Sequence, residues 1–365
     1  MEKKRIEWVD SAKFLCMLAV MAEHAESMTG TMDKIIDPFY LNMFSFAAGY
    51  VYVHRHGFRE FLGKKVRQLL VPWFCFSLLV IFSSHLFSFN AHESLGKELL
   101  QNFLQIKHSG GEMWYVAALF VAFLPFYFFI DRYERSALAL RRRTALLLAV
   151  SFVLALLSLA FATFFPRDIL PWTRELVPAA LPWHLEYMFQ AMFAMVLGYL
   201  FRRFWEPGFD RHDGPWTCLL LWAAYLAAVL VIGGPMPYYG LARYLWYYPS
   251  AFLGMAAVIS LAKRIRPNRY TRCVGQNTLT YYGLHGKAES VLQAILRHFW
   301  YEPYEELIWG GHESSALLAV ALSLLVSVIL MPVAWFINRY LPFMVGRKPA
   351  KGAVSKRKTD GRGGY

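Results

Sequence analysis

Apolar residues fill most of this chain in runs about as long as a bilayer is thick, and short, mainly basic segments separate the runs. A helix needs about 20 mostly apolar residues to cross the hydrocarbon core of a membrane. The pattern therefore predicts an all-α polytopic membrane protein with about ten transmembrane helices. The predicted spans lie near residues 6–27, 37–54, 66–89, 113–130, 144–165, 184–201, 216–233, 243–262, 278–299 and 314–338.

The basic residues test this topology independently, because cytoplasmic loops of membrane proteins carry an excess of Lys and Arg. With the N-terminus inside, 29 of the 38 Lys and Arg residues fall on cytoplasmic segments and 7 on external ones. The other two, Lys13 and Lys287, fall within predicted spans. We therefore expect both termini to be cytoplasmic. We also expect one transmembrane domain over residues 1–342 and a basic, disordered cytoplasmic tail over residues 343–365.

The composition agrees with a membrane location and argues against other classes of protein. Hydrophobic residues make up 57% of the 365-residue chain and charged residues only 17%, so we expect a multi-pass protein of the cell membrane. The net charge of +13 would favour nucleic acid if it formed one patch. The basic residues instead lie in short clusters between spans, and we expect no nucleic-acid partner. The four cysteines show no metal-ligand spacing, so we expect buried thiols and no metal.

The first predicted span, which ends at His24, carries ionisable residues at membrane depth. Such groups are costly in a bilayer and usually face a protein interior or a watery cavity. Lys13 and His24 are 11 residues apart, which places them on one helix face and roughly 16 Å apart along the axis. This alignment makes Lys13 and His24 the candidate catalytic residues. The competing interpretations are an ion pair between Lys13 and Asp10 and a histidine that only caps the helix end.

The cytoplasmic level of the predicted bundle suits an anionic phosphorylated ligand, because cationic and hydrogen-bond-donating side chains gather there. The candidate cofactor-binding residues at this level are Lys64, Arg67, Asn277 and His285. His285 and Lys287 lie about 12–15 Å into the ninth span, near the depth of Lys13. For Lys64 and Arg67, simple positive-inside anchoring is the alternative.

The external level contains carboxylates, imidazoles and aromatic rings near the depth of His24. Such a mixture suits a polyhydroxylated acceptor together with a general base. The candidate substrate-binding residues are Glu112, Trp114, Tyr115 and Glu186, with His184 and Tyr187 at the same depth. An aromatic belt at the membrane interface explains Trp114 and Tyr115 equally well. For Glu112, His184 and Glu186, the alternative interpretation is that they simply lie at the membrane interface.

Five local motifs follow one another along the chain. They are WVDSAK with Lys13-x10-His24, FSFAAGY ending at Gly49 and Tyr50, KKVRQLLVPWF with Lys64-x-x-Arg67, MWYVAALF from Met113, and VGQNTLTYYGLHG ending at His285 and Gly286. In this order they resemble the motifs of the acyltransferase family 3 membrane proteins, and the resemblance extends from about residue 5 to 340. Ala48 departs from the family pattern, which usually has Ser at that position.

The resemblance implies an integral membrane O-acyltransferase of envelope glycans. In such a protein an acyl group, often acetyl, passes from cytoplasmic acyl-CoA to a sugar or glycan hydroxyl at the outer face. The resemblance further implies that Lys13, Lys64 and Arg67 bind the phosphates of CoA. We interpret His24 as the general base on the acceptor hydroxyl, which attacks the thioester directly. A relay through an acyl-histidine is the alternative.

A transporter or flippase is the competing class of function, because Lys and His residues within spans would also form a proton or anion path. The chain shows no internal repeat and few matched Gly- or Pro-broken spans, which transporter folds often have. The short external loops contain no feature that specifies an acceptor sugar.

Overall fold

The structure is a computed structural model, which describes residues 6–25, 35–86, 94–105, 111–164, 181–232, 240–309 and 312–347. This part of the chain is helical and contains no strand, as the sequence predicts. The predicted basic tail lies outside the described residues from position 348 onward. The helices are α1 Glu7–His24, α2 Tyr40–Tyr50, α3 Phe58–Leu86, α4 Leu95–Leu104, α5 Trp114–Arg135, α6 Leu140–Phe164, α7 Pro182–His212, α8 Pro215–Ala227, α9 Gly240–Arg264, α10 Arg269–Gln276, α11 Thr278–Phe299, α12 Tyr301–Trp309 and α13 His312–Tyr340.

Five of the described helices are long and apolar enough to cross a membrane, namely α3, α5, α6, α9 and α13. Helices α7 and α8 meet at a bend of 107° and pass the same test together, which gives six candidates if the pair forms one span. The number of ten spans and the cytoplasmic termini stay predictions. Helix α2 is short for a membrane span, with 11 residues, and helices α1 and α11 are less apolar because they carry ionisable groups along their length.

Helix α1 lies inside the bundle, where it packs against α2, α9, α10, α11 and α13. Most of its residues are buried, including the polar residues Asp10 and Ser11. A helix that is enclosed by other helices needs no single apolar stripe. The ionisable residues of α1 therefore meet protein partners and a cavity, which is where membrane proteins tolerate such groups.

Helices α2 and α7 cross with their backbones in direct contact. A Cβ at Gly49 would lie 1.9 Å from the carbonyl oxygen of Met195, and a Cβ at Gly198 would lie 2.0 Å from that of Phe46. Small residues allow helices in membranes to approach this closely. The crossing fixes α2, which carries one wall of the site described below, against the long helix α7.

Ion pairs and hydrogen bonds connect several helix ends at one side of the bundle. Arg272 of α10 binds Glu7 at the start of α1, with 2.9 Å between the charged atoms. Near the ends of α9 and α7, Lys263 binds Glu206 at 2.8 Å. Tyr50, the last residue of α2, donates a hydrogen bond to the same Glu206 carboxylate at 2.6 Å. These contacts connect the start of α1 to α10, and the ends of α2, α7 and α9 to one another.

Candidate functional site

The imidazoles of His24 and His285 meet between the end of α1 and the first half of α11. Their ring centroids lie 5.0 Å apart, with the planes at 86°. The depth estimate from the sequence, which grouped His285 with Lys13, is therefore wrong. The short helix α10 precedes α11, and its Gly275 packs against the backbone carbonyl of Asp10. Helix α11 consequently begins deeper in the bundle than α1 does.

Backbone contacts determine which nitrogen of each imidazole can accept a proton. Nδ1 of His24 lies 2.8 Å from the carbonyl oxygen of Val20, and Nδ1 of His285 lies 2.8 Å from that of Tyr282. Because a carbonyl oxygen only accepts, Nδ1 carries the proton in both rings and Nε2 carries the lone pair. The His24 ring is exposed, whereas His285 is 1% exposed. Nε2 of His285 is enclosed and has no hydrogen-bond partner among the described residues.

Glu112, which lies just before α5, adds a carboxylate beside the imidazole pair. A Cβ at Gly286 would lie 2.5 Å from Oε1 of Glu112, so the glycine that follows His285 makes room for the carboxylate. Its Oε2 is enclosed and lacks a hydrogen-bond partner in the described part of the chain. Burial raises the pKa of Glu112 to about 7, and the positive charge of Lys287 opposes this rise.

A cavity of about 220 Å³ lies beside Lys13, between α1, α2, α3, α5 and α11. Its lining is mainly apolar, and Lys13 is the one charged side chain among the described residues that line it. The cavity runs along the bundle from the level of Val9 and Thr278 to that of Met17 and Tyr282. Along α1 this corresponds to roughly 12 Å. The cavity therefore extends from the start of α1 toward the imidazole pair.

Lys13 forms an ion pair and also lines the cavity. Its Nζ lies 2.9 Å from Oδ1 of Asp10, as the ion-pair interpretation predicts. Gln276 holds the same carboxylate by donating from Nε2 to Oδ2 at 3.3 Å. The Lys13 side chain is 24% exposed and lines the cavity. The ammonium group thus has a fixed counter-ion and still faces the space where a ligand would lie.

Two tyrosines line the end of this cavity, and one of them also contacts the imidazole pair. The backbone N–H of Tyr115 points to the hydroxyl of Tyr282 at 3.4 Å. The Tyr115 hydroxyl donates to the carbonyl oxygen of Leu41 at 2.8 Å and hydrogen-bonds the Ser45 hydroxyl at 2.7 Å. The ring of Tyr282 stacks on that of His285, with 5.9 Å between centroids. Tyr282 therefore touches both the cavity and the imidazole pair.

Comparison with known protein families decides the class of protein. The family described as the acyltransferase domain of acyltransferase 3 proteins matches residues 6–338, nearly the whole chain. The chain belongs to the acyltransferase 3 family. The resemblance found in the five sequence motifs is thereby confirmed, and with its apolar helices the protein is a membrane acyltransferase. Neither the search of curated proteins nor that of solved structures gave a match.

In this acyltransferase the predicted external-level residues of α5 and α7 form a second group. Trp114 contacts His184 with 5.0 Å between ring centroids and Tyr187 with 6.2 Å. Glu186 accepts a hydrogen bond from the backbone N–H of Leu181 at 3.0 Å, and its other oxygen lies 3.6 Å from Nδ1 of His184. The Glu186 carboxylate thus stabilises the turn that enters α7.

The remaining cofactor-binding candidates divide into exposed cations and a structural amide. Lys64 and Arg67 are exposed on α3, and neither forms an ion pair with a carboxylate among the described residues. Asn277 donates to the carbonyl oxygen of Cys273 at 2.8 Å and accepts from Asn338 at 2.7 Å. These bonds connect the break between α10 and α11 to α13, which accounts for Asn277 without a ligand.

Sequence reasoning missed Tyr282 and Ser45 as parts of the site. Both lie in family motifs that were recognised as patterns, but neither residue was considered as a chemical group. A hydroxyl inside an apolar span needs a partner, and this need was the available signal for both. Ser45 also supplies a hydroxyl one turn before Ala48, the position at which the chain departs from the family pattern.

Proposed function

We propose that this membrane acyltransferase moves an acyl group, acetyl in the simplest case, from cytoplasmic acyl-CoA to a sugar or glycan hydroxyl at the outer face of the cell membrane. One spatial relationship supports the proposal above all others. The cavity beside Lys13 and the His24–His285 pair are joined through Tyr282. A donor from the Lys13 side and an acceptor from the His24 side would meet there.

The orientation of the protein is supported by its charges and by its contacts. The distribution of Lys and Arg predicts that α1 begins, and α2, α7 and α9 end, on the cytoplasmic side. An ion pair and a hydrogen bond connect the ends of α2, α7 and α9, and the ring of Trp8 at the start of α1 contacts Tyr50 and Lys263. Lys13 lies about three helical turns closer to this side than His24 does. An anionic donor from the cytoplasm would therefore enter on the Lys13 side.

An acyl-CoA donor suits the cavity and its surroundings. The apolar lining suits the pantetheine and acyl parts, with Lys13 as a charged contact on the wall. The exposed cations Lys64 and Arg67 suit the phosphates of CoA. Both lie on α3 within about a turn and a half of Leu69, which lines the cavity.

His24 is the group that fits the role of general base. Its Nδ1–H is held by the carbonyl oxygen of Val20, so Nε2 is available to take the proton of the acceptor hydroxyl. The acceptor oxygen then bonds to the thioester carbonyl carbon. The C–S bond breaks as the tetrahedral intermediate collapses, and the imidazolium gives its proton to the departing CoA thiolate. The products are an O-acyl sugar and free CoA.

The test is acyl transfer by purified protein in lipid nanodiscs, with radiolabelled acetyl-CoA and O-deacylated surface glycan from cells that produce the protein. We expect glycan-dependent release of CoA thiol and label on the glycan. His24→Ala should lower turnover by about 10²-fold or more, the usual effect of losing a general base. His212→Ala is the matched control, because this exposed histidine also donates from Nδ1 to a carbonyl four residues earlier, at 3.0 Å from Gly208.

Full turnover in His24→Ala protein would remove His24 from the mechanism. Label that stays on His24 of the wild-type protein would favour the acyl-histidine relay. If the wild-type protein releases no CoA thiol and labels no glycan, acyl-CoA-dependent transfer to a glycan is wrong.

A further inference from the structure

Three hydrogen-bond acceptors belong to residues at the acceptor end of the site. Nε2 of His24 and Nε2 of His285 both carry lone pairs, because Nδ1 of each ring donates to a backbone carbonyl. Oε2 of Glu112 is enclosed beside the residue that follows His285. Enclosed acceptors without a donor are rare in folded proteins, since leaving one unsatisfied costs as much as a lost hydrogen bond. The group as a whole favours a ligand that is rich in donors.

The spacing of the two imidazoles restricts the form of that ligand. Their centroids lie 5.0 Å apart, so one small group approaches both rings. A single hydroxyl has one proton and can donate to only one of the two Nε2 atoms. A sugar that serves both rings through its hydroxyls therefore uses two O–H groups on neighbouring atoms. A sugar ring with two adjacent free hydroxyls has this arrangement.

The different exposure of the two histidines assigns them different tasks. The His24 ring is exposed and can exchange a proton with substrate and solvent, as a general base must. His285 is 1% exposed, and charging an imidazole in such an enclosed place is costly. As a neutral hydrogen-bond acceptor it has no such cost.

We propose that His285 is a positioning residue whose Nε2 accepts a hydrogen bond from the hydroxyl next to the one that reacts at His24. This assignment rests on the proposed function and deepens it by naming the class of acceptor. The enzyme acylates one hydroxyl of a vicinal diol on a sugar.

The kinetic test uses His285→Phe, which fills the space of the imidazole without an acceptor atom. With acetyl-CoA and the O-deacylated surface glycan, KM for the glycan should rise about tenfold, the effect of one lost hydrogen bond. KM for acetyl-CoA should stay within about twofold, because the donor lies on the other side of Tyr282. His285→Gln, whose amide oxygen accepts, should restore much of the glycan affinity. His298→Phe changes an exposed histidine of the same helix and should alter neither constant.

The product gives a second readout that needs no variant. Periodate cleaves vicinal diols, and acylation of one hydroxyl protects the pair. The sugar labelled by the wild-type enzyme should resist periodate and become sensitive after mild alkaline deacylation. An acyl group on a hydroxyl without a free hydroxyl on the neighbouring carbon would overturn the proposal. Unchanged glycan KM in a folded His285→Phe protein would also overturn it.

These results are distinguishable from a failure of the proposed function. That failure appears in the wild-type protein, as absence of glycan labelling from acetyl-CoA, and it would remove the present assignment as well. If His285→Phe does not give a monodisperse protein, product mapping with the wild-type enzyme decides.

Discussion

Lys13 and Asp10 form an ion pair within α1, with 2.9 Å between Nζ and Oδ1, on the wall of the cavity. Asp10 is almost fully buried, and Gln276 of α10 holds its second oxygen. A buried carboxylate is costly without partners, so Asp10 is expected to stay paired with Lys13. An anionic ligand in the cavity would therefore share Lys13 with Asp10 and would not meet an uncompensated cation.

This sharing predicts opposite effects of changing the two partners. Lys13→Ala should raise KM for acetyl-CoA about tenfold or more, because a charge-assisted hydrogen bond is lost. Asp10→Asn should lower this KM, because the amide no longer competes for the ammonium group. Initial-rate kinetics at fixed glycan concentration measures both. Lys97→Ala, on the exposed side of α4, is the control, and equal KM values for Lys13→Ala and Lys97→Ala would exclude Lys13 from donor binding.

The crossing of α2 and α7 gives a prediction about stability that is independent of the reaction. A Cβ at Gly198 would overlap the carbonyl oxygen of Phe46 at 2.0 Å, so Gly198→Val must push the two backbones apart. We expect destabilisation by about 3 kcal/mol or more, seen as a lower apparent unfolding temperature in detergent. Gly63→Ala is the matched control, since nothing lies within 4 Å of its added Cβ. There the gain in helix propensity should leave stability unchanged or slightly higher.

The helices themselves could be predicted from the sequence because apolar runs and basic clusters alternate so regularly. The sixth helix, for example, was expected near 144–165 and spans Leu140–Phe164. Fewer of the described helices are long and apolar enough to cross a membrane than the sequence predicted. Helix α1 has 18 residues, and five of them are charged or histidine: Glu7, Asp10, Lys13, Glu23 and His24. The residues that make α1 less apolar thus include the two that carry the candidate chemistry.

The depth of His285 could not be predicted because helices were assumed to start in one plane. Helix α10 is short and polar, so it resembled a loop in the sequence. Its Gly275 lies against Asp10, and this contact shifts the start of α11 into the bundle. Contacts between helices, which a single sequence does not encode locally, set such shifts. Lys13 and His24 were easier to relate because both lie on one continuous helix.

The raised pKa of Glu112 predicts a stability that depends on pH. Folding raises this pKa from 4.5 to about 7, mainly through burial, so the folded protein binds the extra proton between these values. Its stability therefore falls as the pH rises from about 4.5 to 7 and stays at the lower level above pH 7. Glu112→Gln is neutral throughout. It should raise the apparent unfolding temperature at pH 8 and have little effect at pH 4.5.

The control for this prediction is Glu60→Gln, because the Glu60 side chain is 68% exposed and solvent screens its charge. Thermal unfolding of both variants and the wild type at pH 4.5, 6, 7 and 8 gives the comparison. A gain for Glu112→Gln that is equal at all four pH values would show that the carboxylate is not the titrating group.

The wall formed by Tyr282 predicts how the enzyme selects its acyl group. Tyr282 lies between the cavity and His285, so truncating it should lengthen the space available to an acyl chain. For Tyr282→Ala we expect the ratio of kcat/KM for hexanoyl-CoA to that for acetyl-CoA to rise at least about tenfold, since added methylenes in an apolar pocket each have effects of this order. Competition between the two labelled donors measures the ratio directly.

The variant Tyr282→Phe distinguishes the effect of the ring from that of the hydroxyl. It keeps the wall and loses the contact of the hydroxyl with the backbone N–H of Tyr115, which is long at 3.4 Å. Its donor ratio should therefore match that of the wild type. If Tyr282→Ala and Tyr282→Phe change the ratio equally, the hydroxyl and not the ring controls acyl length. If neither changes it, the acyl chain does not reach the end of the cavity next to His285.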